Sequence, residues 1–228
     1  MAVQTATTAD DRIKAIENVL SKFADTEFKI LLLQMAVQIE DQKNDYAQTL
    51  FYSKRLLEAD PKNAFAMVML AAETARHMRE NDLDREENAA KVEKWAKDGI
   101  EAAKTMPKAR ADWTDAQLEV ARKDLQAQGW EAMGISAVIA KNYAKAISDF
   151  QQAISVAASP EPVTWVRLAQ VYLDSGKLAE ASDAIDKTLA IPETPPQVKS
   201  VAESLKQAVA KKRAGSAPAT PPADSNKP

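Results

Sequence analysis

Residues 130–154, WEAMGISAVIAKNYAKAISDFQQAI, are echoed at a spacing of 35 by residues 165–189, WVRLAQVYLDSGKLAEASDAIDKTL. Trp130, Met133, Gly134, Ala146, Ile147, Phe150, Ala153 and Ile154 recur as Trp165, Leu168, Ala169, Ala181, Ser182, Ile185, Thr188 and Leu189. Seven of these eight pairs keep their size or polarity class. A period in the thirties with Trp, then residues three and four further on, then Ala and a large apolar residue, predicts a helix-turn-helix array. Such a unit cannot hide its apolar face alone, so neighbouring units must stack. The predicted fold class is all-α, an α-α superhelix.

These residues resemble the tetratricopeptide repeat. In unit 127–161, Trp130, Met133 and Gly134 stand where the family places Trp, Leu and Gly, and Tyr143, Ala146, Phe150 and Ala153 match its second helix. Unit 162–196 offers Trp165, Leu168, Tyr172, Gly176, Ala181 and Leu189, with Ala169 for the usual Gly and Ile185 for the usual aromatic. Unit 30–63 is weaker: Tyr46, Leu57 and Asp60-Pro61 fit, while Leu33, Val37 and Thr49 depart from the pattern. Unit 64–108 begins with Met67, Leu70 and Ala71, resumes at Ala96, Ile100 and Ala103, and is interrupted by an insertion at 79–91. The resemblance implies a solenoid of about four repeats.

Flanking helices complete the expected array. Asp10-Asp11 is expected to cap a first helix carrying Ile13, Ile16, Leu20 and Phe23, and Thr26 to open the next. Thr114 with Gln117 reads as a capping box for a helix running to about Ala140, whose excess first turns, at Leu118 and Leu125, are expected beyond the array or beside the insertion. Thr194-Pro195-Pro196 should start a capping helix at 195–210 with an apolar stripe of Val198, Val201, Leu205, Ala208 and Val209. Residues 1–9 are read as a flexible start and 211–228, rich in Ala, Pro and Ser, as a disordered tail.

Composition narrows the function. With 30 Lys and Arg against 33 Asp and Glu and no basic stripe, the chain lacks the footprint that nucleic acid demands. No run reaches the 18 or so apolar residues that span a bilayer. There is no cysteine, so disulfide and thiol chemistry are excluded. The start lacks a basic and apolar leader, and start and tail suit a mature exported protein as well as a cytoplasmic one.

Catalytic and metal signals are sparse. His77 is the only histidine, which leaves neither a triad nor a multi-histidine zinc site. Asp82, Asp84, Glu86 and Glu93 match part of a calcium-loop spacing, but Glu87 occupies the place that needs Gly. No cofactor and no metal are expected, and no enzyme. Trp130 and Trp165, at the same place in successive units, are read as packing residues; for Trp95 and Trp113 packing and partner contact both stand.

The resemblance implies a concave groove lined by first-helix positions. Carried over, these include Gln34 and Gln38, then Phe65, Val68 and Arg76, then Glu131, Ile135 and Ile139, then Val166, Gln170, Leu173 and Asp174. Family members that clamp a peptide's carboxylate use Lys and Asn at two positions held here by Gln34, Gln38, Val68, Ala72, Glu131, Ile135, Val166 and Gln170. That clamp is missing. Ile135, Ile139, Val166 and Leu173 would form an apolar strip suited to an amphipathic helix, unless the chain's own helices cover it. The expected role is a scaffold for a protein or peptide partner, the alternative a self-associating structural subunit.

Overall fold

The computed structural model describes residues 7–108 and 112–216, which hold ten α-helices and no strand. They are α1 Ala9–Lys22, α2 Lys29–Gln42, α3 Tyr46–Ala59, α4 Ala64–His77, α5 Arg85–Thr105, α6 Asp115–Ile139, α7 Tyr143–Val156, α8 Pro162–Asp174, α9 Leu178–Ala190 and α10 Pro196–Ser216. The chain divides into two compact units, residues 1–160 and 161–228. Among the described residues no helix is long and apolar enough to cross a membrane.

In the first unit the hairpins α2–α3, α4–α5 and α6–α7 follow one another, with α1 ahead of them. Its centre is α4, whose sequence AFAMVMLAAETARH is apolar on nearly every side; a helix of that kind must be enclosed. Accordingly α4 packs against α3, α5 and α6. Ile16, Leu20, Leu33, Val37 and Leu56 form one buried cluster across α1, α2 and α3, with Ala66 and Met69 of α4 joining it. A second joins Ala71 and Ala75 of α4 to Val92, Ala96 and Ile100 of α5 and Met133 of α6. Each large aliphatic side chain so buried contributes about 1.5–3 kcal/mol.

Helix ends follow local chemistry. Asp45, Asn63 and Asn142 each accept a hydrogen bond from the backbone N–H three residues on. Thr114 and Gln117 form the expected capping box. The N-cap of α1 is Thr8, which accepts from Asp11 N, so Asp10 and Asp11 sit in the first turn, where their charge suits the helix dipole. Thr26 lies outside α2, accepting from Phe28 N in the preceding turn.

The turn between paired helices is built alike three times. Asn44, Lys141 and Gly176 all have positive φ, at 55°, 56° and 78°. After each, a backbone N–H reaches the carbonyl five residues back: Asp45 to Glu40, Asn142 to Ala137 and Lys177 to Tyr172. This is a Schellman closure, which satisfies helix-end carbonyls and turns the chain into the next helix.

Of the interval 79–91 read as an insertion, the second half is helical. Only residues 78–84 connect α4 to α5; residues 85–91 are the first two turns of α5, which has 21 residues where α4 has 14. Arg85 and Glu86 to Asn88 continue into a sequence with alanine and lysine, and these lose little entropy in a helix. The long α6, 25 residues, runs beside α5. Its excess first turns lie at the C-terminal end of α5, not beside the insertion, because Arg122 donates twice to Met106 O, at 3.2 and 2.7 Å.

In the second unit α8, α9 and α10 pack on one another. Thr194 does not cap α10: its buried hydroxyl donates to Thr188 O and Ile191 O, closing the end of α9. The buried stripe of α10 is Ala202, Leu205 and Val209, and Val201 is exposed. The helix also continues through Ser216, past the expected limit of 210. Lys212 Nζ donates to Leu173 O at 2.9 Å and Arg213 Nη2 to Leu178 O at 2.8 Å, so residues expected in the tail hold the α8–α9 turn. The remaining tail, 217–228, and residues 1–6 lie outside the described residues.

Candidate partner-binding face

Helices α2, α4 and α6 are the first helices of consecutive hairpins, and α4 packs directly on α6. Gln38 and Arg76 are exposed on this series, and Gln34, Phe65, Glu131, Ile135 and Ile139 are half-buried. Phe65 packs against the first core cluster, Ile135 and Ile139 against the second, each keeping part of its surface outside. Val68, placed by the sequence in the groove, is 0% exposed. Its surface is spent on the close approach of α5, where Val68 Cγ2 would sit 2.8 Å from a Cβ on Gly99.

In the second unit Gln170 and Asp174 are exposed on α8, with Gln170 Nε2 donating to Asp174 Oδ1 at 2.8 Å. Val166 and Leu173 are buried. The apolar strip expected from Ile135, Ile139, Val166 and Leu173 therefore keeps only its two isoleucines at a surface. Packing within a unit took the rest.

Both repeat tryptophans are half-buried. Trp130 packs with Trp95 against the second core cluster, and Trp165 lies under Lys187, whose ammonium is 4.8 Å from the ring centroid. At their shared small position, a Cβ on Gly134 would meet the Phe150 ring at 2.8 Å. This approach seats the first helix on the second. A Trp-initiated pair of helices with that small-on-large contact and a Schellman turn, repeated after 35 residues, matches solved architecture. A thermophilic TPR protein of Thermus thermophilus superposes with a TM-score of 0.61 at 16% identity, over 87% of this chain and 91% of that one.

The chain has the tetratricopeptide-repeat fold. The structure of MamA protein is also similar, at a TM-score of 0.43 and 17% identity, over 86% of this chain and 100% of that one. No protein-family model matches the sequence, and no curated protein matches it.

On this repeat scaffold the polar groups are mostly engaged with one another. Arg76 pairs with buried Glu73 on its own helix and lies 3.4 Å from Asp41 at the end of α2, so one guanidinium ties two first helices together. His77 is held in place by its surroundings: Nδ1 lies 3.0 Å from the Glu73 carbonyl oxygen, and the ring stacks on Tyr46 at 3.9 Å. Burial, with Glu73 and Asp84 nearby, pushes the Tyr46 hydroxyl above its usual pKa. The pattern of an apolar helix hid Glu73, because a lone carboxylate among alanines signals nothing until Arg76 and His77 are seen to fold over it.

The calcium-like spacing does not converge. Asp82 accepts from Arg79 N at 2.7 Å, and Glu93 lies along α5 paired with Lys97 at 2.7 Å. Among the described residues no three His, Cys, Asp or Glu are grouped to hold a metal ion.

Proposed function

We propose that this chain is a non-catalytic scaffold that holds a peptide or helix of a partner protein on the first-helix face of residues 34–139. The contact residues are Gln34, Gln38, Phe65, Arg76, Glu131, Ile135 and Ile139. The observation that carries the reading is that Phe65, Ile135 and Ile139 keep exposed surface on consecutive first helices, flanked by the exposed Gln38 and Arg76. Apolar side chains with polar neighbours suit an amphipathic segment, whose own apolar stripe would complete their burial. Affinity capture with the full chain, compared with Ile135→Asp and Gln38→Arg, tests it. Partners common to the wild type should be lost from both variants while far-UV circular dichroism is retained; an unchanged partner set in both overturns the reading.

A second reading, self-assembly, is favoured by exposed Phe23, Phe28 and Leu31 around the α1–α2 connection. Association of copies would bury that apolar surface. Sedimentation velocity of the purified protein separates the two: one concentration-independent monomer excludes assembly.

A further inference from the structure

Helix α1 is seated by a small, separable set of contacts. Ile16 and Leu20 enter the first buried cluster beside Leu33, Val37, Tyr52 and Leu56. Polar ties flank them: Asp10 takes Lys43 at 2.8 Å, and Glu17 takes Arg55 and the Tyr52 hydroxyl. The seat therefore selects a helix whose apolar stripe is flanked by carboxylates set to meet Lys43 and Arg55. Residues 9–22 of any copy of this chain meet that rule.

Exchange of α1 between two copies would keep every one of these contacts, so its free energy is set by the connector and by the entropy of association. The connector, residues 23–28, contains neither Gly nor Pro, and all of it but Thr26 is exposed. Its hydrogen bonds are local. Thr26 N donates to Phe23 O at 3.1 Å, Lys29 N to Thr26 O at 3.1 Å and Phe28 N to Thr26 Oγ1 at 3.4 Å. Straightening the turn hands these three donors to water and breaks no core contact. The turned connector, moreover, leaves Phe23 62%, Phe28 54% and Leu31 45% exposed, an apolar patch that a second copy would cover. Around it Lys22, Asp25, Glu27 and Lys29 carry two charges of each sign, so two connectors approach without net repulsion.

We infer that α1 exchanges between two copies of this chain. Each α1 seats on α2 and α3 of the other copy, and the two opened connectors run antiparallel, with Phe23 of one against Phe28 of the other. This rests on the self-assembly reading and gives it a mechanism: the second copy supplies Ile16 and Leu20 to a core that is incomplete without them.

The chain has no cysteine, so Asp10→Cys places a single thiol beside Lys43, at the cost of one exposed ion pair that contributes little. This variant is refolded from urea with an equal amount of heavy-isotope wild type, treated with a maleimide–succinimidyl cross-linker and digested for mass spectrometry. A link from the new thiol to Lys43 of a heavy chain should appear in the dimer fraction. Links confined to light Lys43 overturn the exchange; a dimer seen by sedimentation velocity would then leave self-assembly standing without it, whereas a monomer at every concentration removes both. Phe23→Ser combined with Phe28→Ser, at exposed positions outside the core, should weaken the dimer by roughly tenfold or more, since it loses the aromatic surface buried between connectors. An unchanged dimer in that variant overturns the proposal.

Discussion

At the scale of single residues, the three left-handed turn positions are filled by three different residues, and only one of them suits the backbone well. Gly176 has no Cβ to clash, Asn44 tolerates this region, and Lys141 at φ 56° does not. Lys141→Gly should therefore stabilise the protein by roughly 0.5–1 kcal/mol, since relief of the left-handed penalty exceeds the added chain entropy of Gly. The exposed ion pair of Lys141 with Glu80 contributes little against that. A urea midpoint that falls in this variant would contradict the assignment. Asp149 makes the second case. It is buried beside Lys145, and burial raises its pKa above the usual 3.8, outweighing the Lys145 hydrogen bond. A raised carboxylate pKa means that the native state binds a proton before the unfolded state does, so the wild type gains stability as pH falls through the raised value toward 3.8. Asp149→Asn lacks that gain. Its stability relative to wild type should be most favourable at neutral pH and decline across the acidic window, as denaturant midpoints measured over pH would show.

At the scale of helix pairs, the repeat unit compensates within itself. Gly134 faces Phe150, and one period later Ala169 and Ile185 occupy the same two places. The larger first-helix residue is met by the smaller second-helix residue. Gly134→Ala alone should cost about 1–3 kcal/mol through overpacking against the ring. Added to Phe150→Ile it should cost clearly less, a favourable coupling of about 1 kcal/mol in a double-mutant cycle. Additive losses would mean that the two positions do not touch in solution. The helix pairs were legible in the sequence because Trp130, Gly134 and Phe150 sit at fixed offsets. Their ends were less so: Thr194 reads as a cap but its hydroxyl is drawn to α9, and the end of α10 was hidden because Lys212 and Arg213 acquire partners only once α8 and α9 are folded beside them.

For the molecule as a whole, stability is uneven. In the first unit α4 is enclosed by α3, α5 and α6, whereas α1 packs chiefly on α2 and is otherwise tied by the Lys43–Asp10 and Arg55–Glu17 ion pairs. Hydrogen exchange should find the slowest amides in α4, opening only with the unit, and the fastest helical amides in α1. Protection in α1 equal to that of α4 would show a tighter N-terminal end than this packing supports. The same unevenness governs the candidate site. Gln38 and Arg76 keep their surface at the margins of the first helices, and Val68, Val166 and Leu173 lose theirs where neighbouring helices close in.

The sequence by itself determined the helical class, the 35-residue period, the packing role of Trp130 and the caps at Asp45 and Thr114, because each depends on residues near one another along the chain. Only the tertiary structure decided which groove positions keep a surface, and that Glu73, Arg76 and Asp41 meet. Periodicity tells which side of a helix is apolar, but how far that side is covered depends on the size of side chains on helices that are distant in sequence.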